Sequence, residues 1–226
     1  VNYYTGGLFR YGKNEGCNFL KTKCIQDGST QFPNEFNVKE NPATMCLSGR
    51  TGKGFSSLNV VKTAIEPEYN YWDNLYKAGF SSADYCPVAW PSEVDGYFFG
   101  FSCAIGKAAN TIYGEIVGSD SSCFISSLTR KGNKLNTEKA TCFQATCDYT
   151  KKKYTVGIAI DSGYSVECPT EGGKMSVSGL DGEFLCPDFN LICTQGTVCY
   201  DAIDCINKKV VSEPSSYTYN YTPVGN

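Results

Sequence analysis

The residues that can do chemistry in this chain are cysteines. Thirteen occur in 226 residues (Cys17, Cys24, Cys46, Cys86, Cys103, Cys123, Cys142, Cys147, Cys168, Cys186, Cys193, Cys199 and Cys205), and there is no histidine. Thiols at this density pair, and stay paired, in an oxidising compartment. Without imidazole there is no Ser-His or Cys-His dyad and no His-Glu-x-x-His zinc helix. No Cys-x-x-Cys occurs, and the nearest neighbours, Cys142 and Cys147, are five apart, which argues against a cysteine zinc site. An odd count leaves one thiol over. It is either free or bonded outside the chain, and six disulfides plus one external bond is the expectation.

Other constellations carry less. Glu66 with Glu68, Asp181 with Glu183, and Asp201 with Asp204 are close in sequence. Glycoside chemistry needs two carboxylates held across a cleft, which such spacings do not establish. Asp201 and Asp204 lack the calcium-loop ligand pattern. Gly49-Arg-Thr-Gly-Lys-Gly54 has the residues of a phosphate cradle without its spacing. These carboxylates read as solvated surface, and no catalytic residue is assigned. Lys151-Lys152-Lys153 is the one dense basic run, at a net charge of −3. It reads as a hairpin turn, and nucleic acid is not an expected partner.

The elements that must hold the cysteines follow from composition and period. Hydrophobic residues make up 41% and charged residues 19%, which suits a globular chain. No stretch reaches the roughly 20 apolar residues of a membrane span. Residues 1–54 are punctuated by Gly and Pro and read as a loop-rich connector. Residues 55–66 suggest one short strand or helix, ended by Pro67. Tyr69, Tyr71, Trp72, Tyr76 and Phe80 then form an aromatic row, expected to pack as core. Tyr154, Val156, Ile158 and Ile160 alternate with small residues as in a half-buried strand. Asp161-Ser162-Gly163 offers a turn and Tyr164 to Cys168 a return strand. Lys174 to Ser178, Glu183 to Cys186, Phe98 to Ala104 and Thr111 to Val117 also read as strands, with Gly114 an irregularity. The expected class is β-rich α+β: loop-heavy antiparallel sheets stapled by about six disulfides, with little helix. Residues 55–193 form the disulfide-rich β domain, and residues 194–226 a small cysteine-containing extension with a Tyr-rich tail. Asn220-Tyr221-Thr222 in that tail is a candidate glycosylation sequon.

Several segments, in order, resemble one family. Tyr11-Gly-Lys-Asn-Glu-Gly-Cys-Asn-Phe-Leu-Lys-Thr-Lys-Cys24 is similar to the stretch after the catalytic domain of leishmanolysin-type metalloproteases. Ala83-Asp-Tyr-Cys-Pro87, Ser122-Cys-Phe124, Cys142-Phe-x-x-x-Cys147 and Gly179-x-x-Gly-x-x-x-Cys-Pro187 follow in that family's order, with Cys193 seven residues after Cys186. The shared order over residues 1 to about 193 carries the resemblance.

The resemblance implies a secreted or cell-surface zinc endopeptidase whose His-Glu-x-x-His helix, third histidine and Met turn lie upstream. This chain then corresponds to the non-catalytic C-terminal half, buttressing the catalytic half and shaping its cleft. Zinc is expected in that absent half and no cofactor in this chain. The start at Val1-Asn2-Tyr3-Tyr4 fits a precursor with upstream sequence, and the Gly225-Asn226 end is compatible with a lipid anchor. The family pattern implies the pairs Cys24–Cys86, Cys46–Cys123, Cys103–Cys142, Cys147–Cys193 and Cys168–Cys186. It implies that Cys17 bonds back to the catalytic half. Cys199 and Cys205, beyond the matched region, are left to pair with each other. A further family bridge would use positions near Asn37 and Phe55, neither of which is cysteine. Met45 and Met175 read as packing residues. The alternative is an extracellular structural or adhesive subunit on a protease-derived scaffold without activity, meeting other cell-surface proteins.

Overall fold

The structure is a computed structural model that describes residues 11, 16–18, 21–39, 44–47, 49–60, 63–90, 92–94, 97–99, 101–105, 111–134 and 137–193. All of them belong to one unit, Leu8–Gln195. Cys199, Cys205, Asn220 and the Tyr-rich tail lie outside the described residues.

Short strands come first: β1 (Thr44–Cys46), β2 (Gly52–Ser56), β3 (Asn59–Val60), β4 (Lys77–Ala78), β5 (Ala89–Trp90), β6 (Ser92–Val94), β7 (Tyr97–Phe99) and β8 (Phe101–Ser102). Longer ones follow: β9 (Ser121–Ser126), β10 (Thr129–Arg130), β11 (Lys139–Asp148), β12 (Lys153–Ile158), β13 (Tyr164–Cys168), β14 (Gly173–Ser176), β15 (Leu180–Asp181) and β16 (Glu183–Cys186). One short helix, α1 (Phe189–Cys193), ends the described chain. The pairings are antiparallel. The class is the strand-rich, disulfide-stapled one that the period-2 pattern predicts.

The principal sheet has the order β13-β12-β11-β9-β16-β14. Strands β13 and β16 stand four places apart, which in a flat sheet is about 19 Å. Yet Cys168 and Cys186, at their ends, have Cα atoms 5.8 Å apart and are bonded. The sheet therefore rolls on itself, and the aromatic residues fill the roll. Phe124, Phe143, Tyr154 and Phe184 are buried there with Val156, Ile158 and Ile160, and α1 adds Phe189 and Ile192. In β12 burial alternates, so Tyr154, Val156 and Ile158 point inward.

Strand β9 and the first half of β11 are buried on both faces. Phe124 and Phe143 face the aromatic core, while Cys123, Ala140 and Cys142 face a second cluster with Cys46 and Cys103. What covers that second face is a smaller sheet, in which β2 pairs with β1, β5 and β8. A third cluster (Cys24, Ile25, Phe32, Phe36 and Cys86) joins the 21–36 segment to the 71–88 segment, with Tyr11, Tyr71 and Trp72 packed against it.

Three local expectations change. Residues 55–66 are not one element: β2 ends at Ser56 and β3 covers only Asn59–Val60. Pro67 opens a 3-10 turn, Pro67–Tyr69, a position where its missing N–H costs nothing. Thr111–Tyr113 is likewise a 3-10 turn rather than strand. Gly114 follows at φ +70°, so close to β12 that a Cβ would lie 2.6 Å from the Ile158 Cγ2. Finally, the aromatic row is split. Tyr71 and Trp72 pack on the third cluster, whereas Tyr76 and Phe80 are 47% and 41% exposed.

Candidate functional site

Ten cysteines meet in pairs among the described residues. Cys46 on β1 bonds Cys123 on β9, and Cys103 after β8 bonds Cys142 on β11. Because Cys123 and Cys142 are register partners, the two bonds rivet the smaller sheet to the principal one side by side. Cys24–Cys86 closes the third cluster, Cys147–Cys193 holds α1 to β11, and Cys168–Cys186 closes the roll. Cys17 stands apart in an exposed turn, Gly16–Asn18, with no disulfide partner among the described residues.

Charged groups reinforce the same seam. Lys53 on β2 donates to the buried carboxylate of Glu115, which also accepts the Cys142 N–H at 3.1 Å. Arg50, 1% exposed, donates to Asn34 Oδ1, and its own carbonyl accepts the Cys123 N–H at 2.8 Å. The Lys139 ammonium lies over the Tyr113 ring, and burial lowers its pKa. Nothing in the sequence points to the Lys53–Glu115 pair, whose members are 62 residues apart.

Two of the three closely spaced carboxylate pairs lie among the described residues. Glu66 and Glu68 are exposed, beside the Pro67 turn. Asp181 accepts the Gly132 N–H at 2.6 Å, and Glu183 pairs with Lys174 at 2.5 Å. Asp201 and Asp204 lie outside the described residues. Among the described residues, no three His, Cys, Asp or Glu side chains gather as metal ligands. Lys151 and Lys152 occupy the turn between β11 and β12, exposed.

One cavity, of about 200 Å³, lies between the 30–46 segment and the principal sheet. Phe36, Met45, Ile125, Phe184 and Leu185 supply apolar lining, and Lys39, Glu138, Lys174 and Glu183 are also at its wall.

Comparison with known proteins identifies the scaffold. The family model described as Leishmanolysin, a peptidase family, matches residues 1–204. The chain belongs to the leishmanolysin family. Leishmanolysin of Leishmania donovani is 32% identical over 201 residues, covering 83% of this chain and 32% of its own length. Leishmanolysin of Leishmania amazonensis is 28% identical over 200 residues, covering 81% and 31%. The leishmanolysin homolog of Crithidia fasciculata is 25% identical over 220 residues, covering 90% and 32%. The chain thus spans about a third of the length of these leishmanolysin relatives. Among the described residues no helix is long and apolar enough to cross a membrane.

Proposed function

We propose that this chain is the non-catalytic C-terminal portion of a secreted or cell-surface leishmanolysin-like zinc endopeptidase. One observation carries this reading: a peptidase-family match over residues 1–204 in a chain without a single histidine, spanning about a third of its relatives. A catalytic zinc site uses three protein ligands and a water. The donor set of the described residues does not fit one, because the chain has no histidine and ten cysteines are committed to disulfides. No catalytic step is assigned to this chain.

Its role is mechanical. A layer cross-linked by adjacent disulfides presents a fixed surface at small cost in conformational entropy, which is what the wall of a neighbouring cleft needs. Cys17 is the tether to the catalytic half. A secretory route, glycosylation at Asn220 and a lipid anchor accord with this reading, and nucleic acid is not a partner.

The test is metal analysis and peptide cleavage on the parent protein alongside this chain alone. The parent is expected to hold one zinc per molecule and to cleave peptides, while the chain alone does neither. A parent without zinc and without cleavage replaces this reading with that of a structural or adhesive subunit.

A further inference from the structure

The cavity between the 30–46 segment and the principal sheet joins an apolar depth to a charged rim. Its depth is chiefly apolar, with Phe36, Met45 and Phe184 at 5%, 3% and 1% exposure, and it also carries the buried Arg50 bonded to Asn34. Its outer wall is charged and open. The side chains of Lys39, Glu138, Lys174 and Glu183 keep 51%, 40%, 61% and 42% of their surface exposed. These four form an alternating chain of contacts: Lys39 to Glu138 at 2.6 Å, Glu138 to Lys174 at 3.8 Å, and Lys174 to Glu183 at 2.5 Å.

We propose that this cavity binds a free apolar amino acid, with the side chain in the apolar depth and the α-ammonium and α-carboxylate against the alternating mouth. Volume supports the first half: an apolar cavity of roughly 150 Å³ holds a benzene ring. About 200 Å³ then takes an isobutyl or benzyl group. Charge supports the second. The two ammonium and two carboxylate groups of the mouth balance, so a simple anion or cation meets repulsion as well as attraction there, while the buried Arg50 guanidinium in the wall is held by Asn34 Oδ1 and the Cys123 carbonyl. A zwitterion offers both signs one carbon apart and meets both. Capacity remains, because each ammonium has three donors and each carboxylate about four acceptor positions. Lys39 spends one of its donors on Glu138. Two larger clefts differ in kind: Ser119–Ser122 with Thr146 and Tyr149 line one, and Asn18 with Asn70–Asp73 lines the other. Their walls are chiefly hydrophilic and offer no comparable apolar depth.

The test is titration of the full chain with L-leucine, followed by calorimetry and by amide NMR shifts. Two half-ligands, isopentylamine and 4-methylpentanoate, and the neutral 3-methylbutanol serve as probes of each charge. Leucine is expected to saturate in the millimolar range, about what nine heavy atoms support. Each half-ligand should bind about fivefold more weakly, the scale of one solvent-exposed charge contact. Val38→Trp, which places a large ring at the cavity wall, should abolish binding. Lys174→Gln should weaken leucine and 4-methylpentanoate without weakening isopentylamine, and its unchanged circular dichroism verifies the fold. No saturable leucine binding overturns the proposal. So does 3-methylbutanol binding as tightly as leucine, or a Lys174→Gln chain that binds 4-methylpentanoate as the wild type does.

Discussion

The two faces of β9 and β11 are built by different means. On one, Phe124, Phe143, Tyr154 and Phe184 stack with ring centroids 5.7–6.3 Å apart. On the other, small residues alternate with cystine: Cys123, Ala140 and Cys142 meet Cys46 and Cys103. The first face buries large side chains from strands of four to ten residues. The second is covered by strands of two to five residues, too short to bury much apolar area. Where hydrophobic burial is scarce, covalent bonds and a buried ion pair fix the layer instead. The molecule therefore has an aromatic core, itself closed by Cys168–Cys186 and Cys147–Cys193, and a shell that depends chiefly on its staples.

The sharpest way to break this comparison is to remove one staple. Replacing both Cys46 and Cys123 by Ala opens a loop of 77 residues and should cost about 4.5 kcal/mol on the loop-entropy scale. Hydrogen exchange should then accelerate in β1 and β2 while β12 and β13 stay protected. If all strands exchange together, the shell and the core are one cooperative unit. Phe143→Ala acts on the other face. It should cost about 4 kcal/mol, lower the urea midpoint, and raise exchange in β9, β11 and β12 together.

A smaller effect is expected at the ion pair. Glu115→Gln leaves the Lys53 ammonium facing a neutral amide and should cost about 2 kcal/mol, below the figure for a fully buried pair, because the Lys53 side chain keeps 16% exposure. Adding Lys53→Met should recover part of that loss, read from denaturant midpoints of the single and double variants. The smallest effect is at the cavity mouth. The hydrogen bond from Lys39 holds the Glu138 carboxyl below its ordinary 4.5. A depressed carboxylate stabilises the fold above its unfolded pKa, and that stability fades as pH falls through the folded value. The contribution should be present above about pH 4.5 and decline in more acid solution. Lys39→Met should flatten that decline by a few tenths of a kcal/mol at most, since both partners are exposed. A thermal-melting series from pH 6 to pH 3 on both chains reads it.

The core was the legible face. Alternation from Tyr154 to Ile160 and the Asp161-Ser162-Gly163 turn mark the β12–β13 hairpin, because a two-residue period writes itself directly into sequence. The shell was not legible in this way. Strands of two residues carry no period, and Thr111–Tyr113 has strand-like composition yet coils where Gly114 must approach β12. The exposed positions of Tyr76 and Phe80 depend on tertiary placement, which local pattern does not encode. Spacing leaves cysteine pairing open, and the family's motif order is what suggests a pairing. The Lys53–Glu115 contact and the cavity arise from segments distant in sequence and leave no local signal.

The central claim is that this chain is one part of a larger protease, held through Cys17. Peptide mapping of the native parent protein by mass spectrometry, without and then with reduction, tests it directly. The account predicts Cys17 in a disulfide with a peptide from a segment that carries His-Glu-x-x-His. A Cys17 recovered as a free thiol, or bonded to a polypeptide lacking that motif, contradicts it.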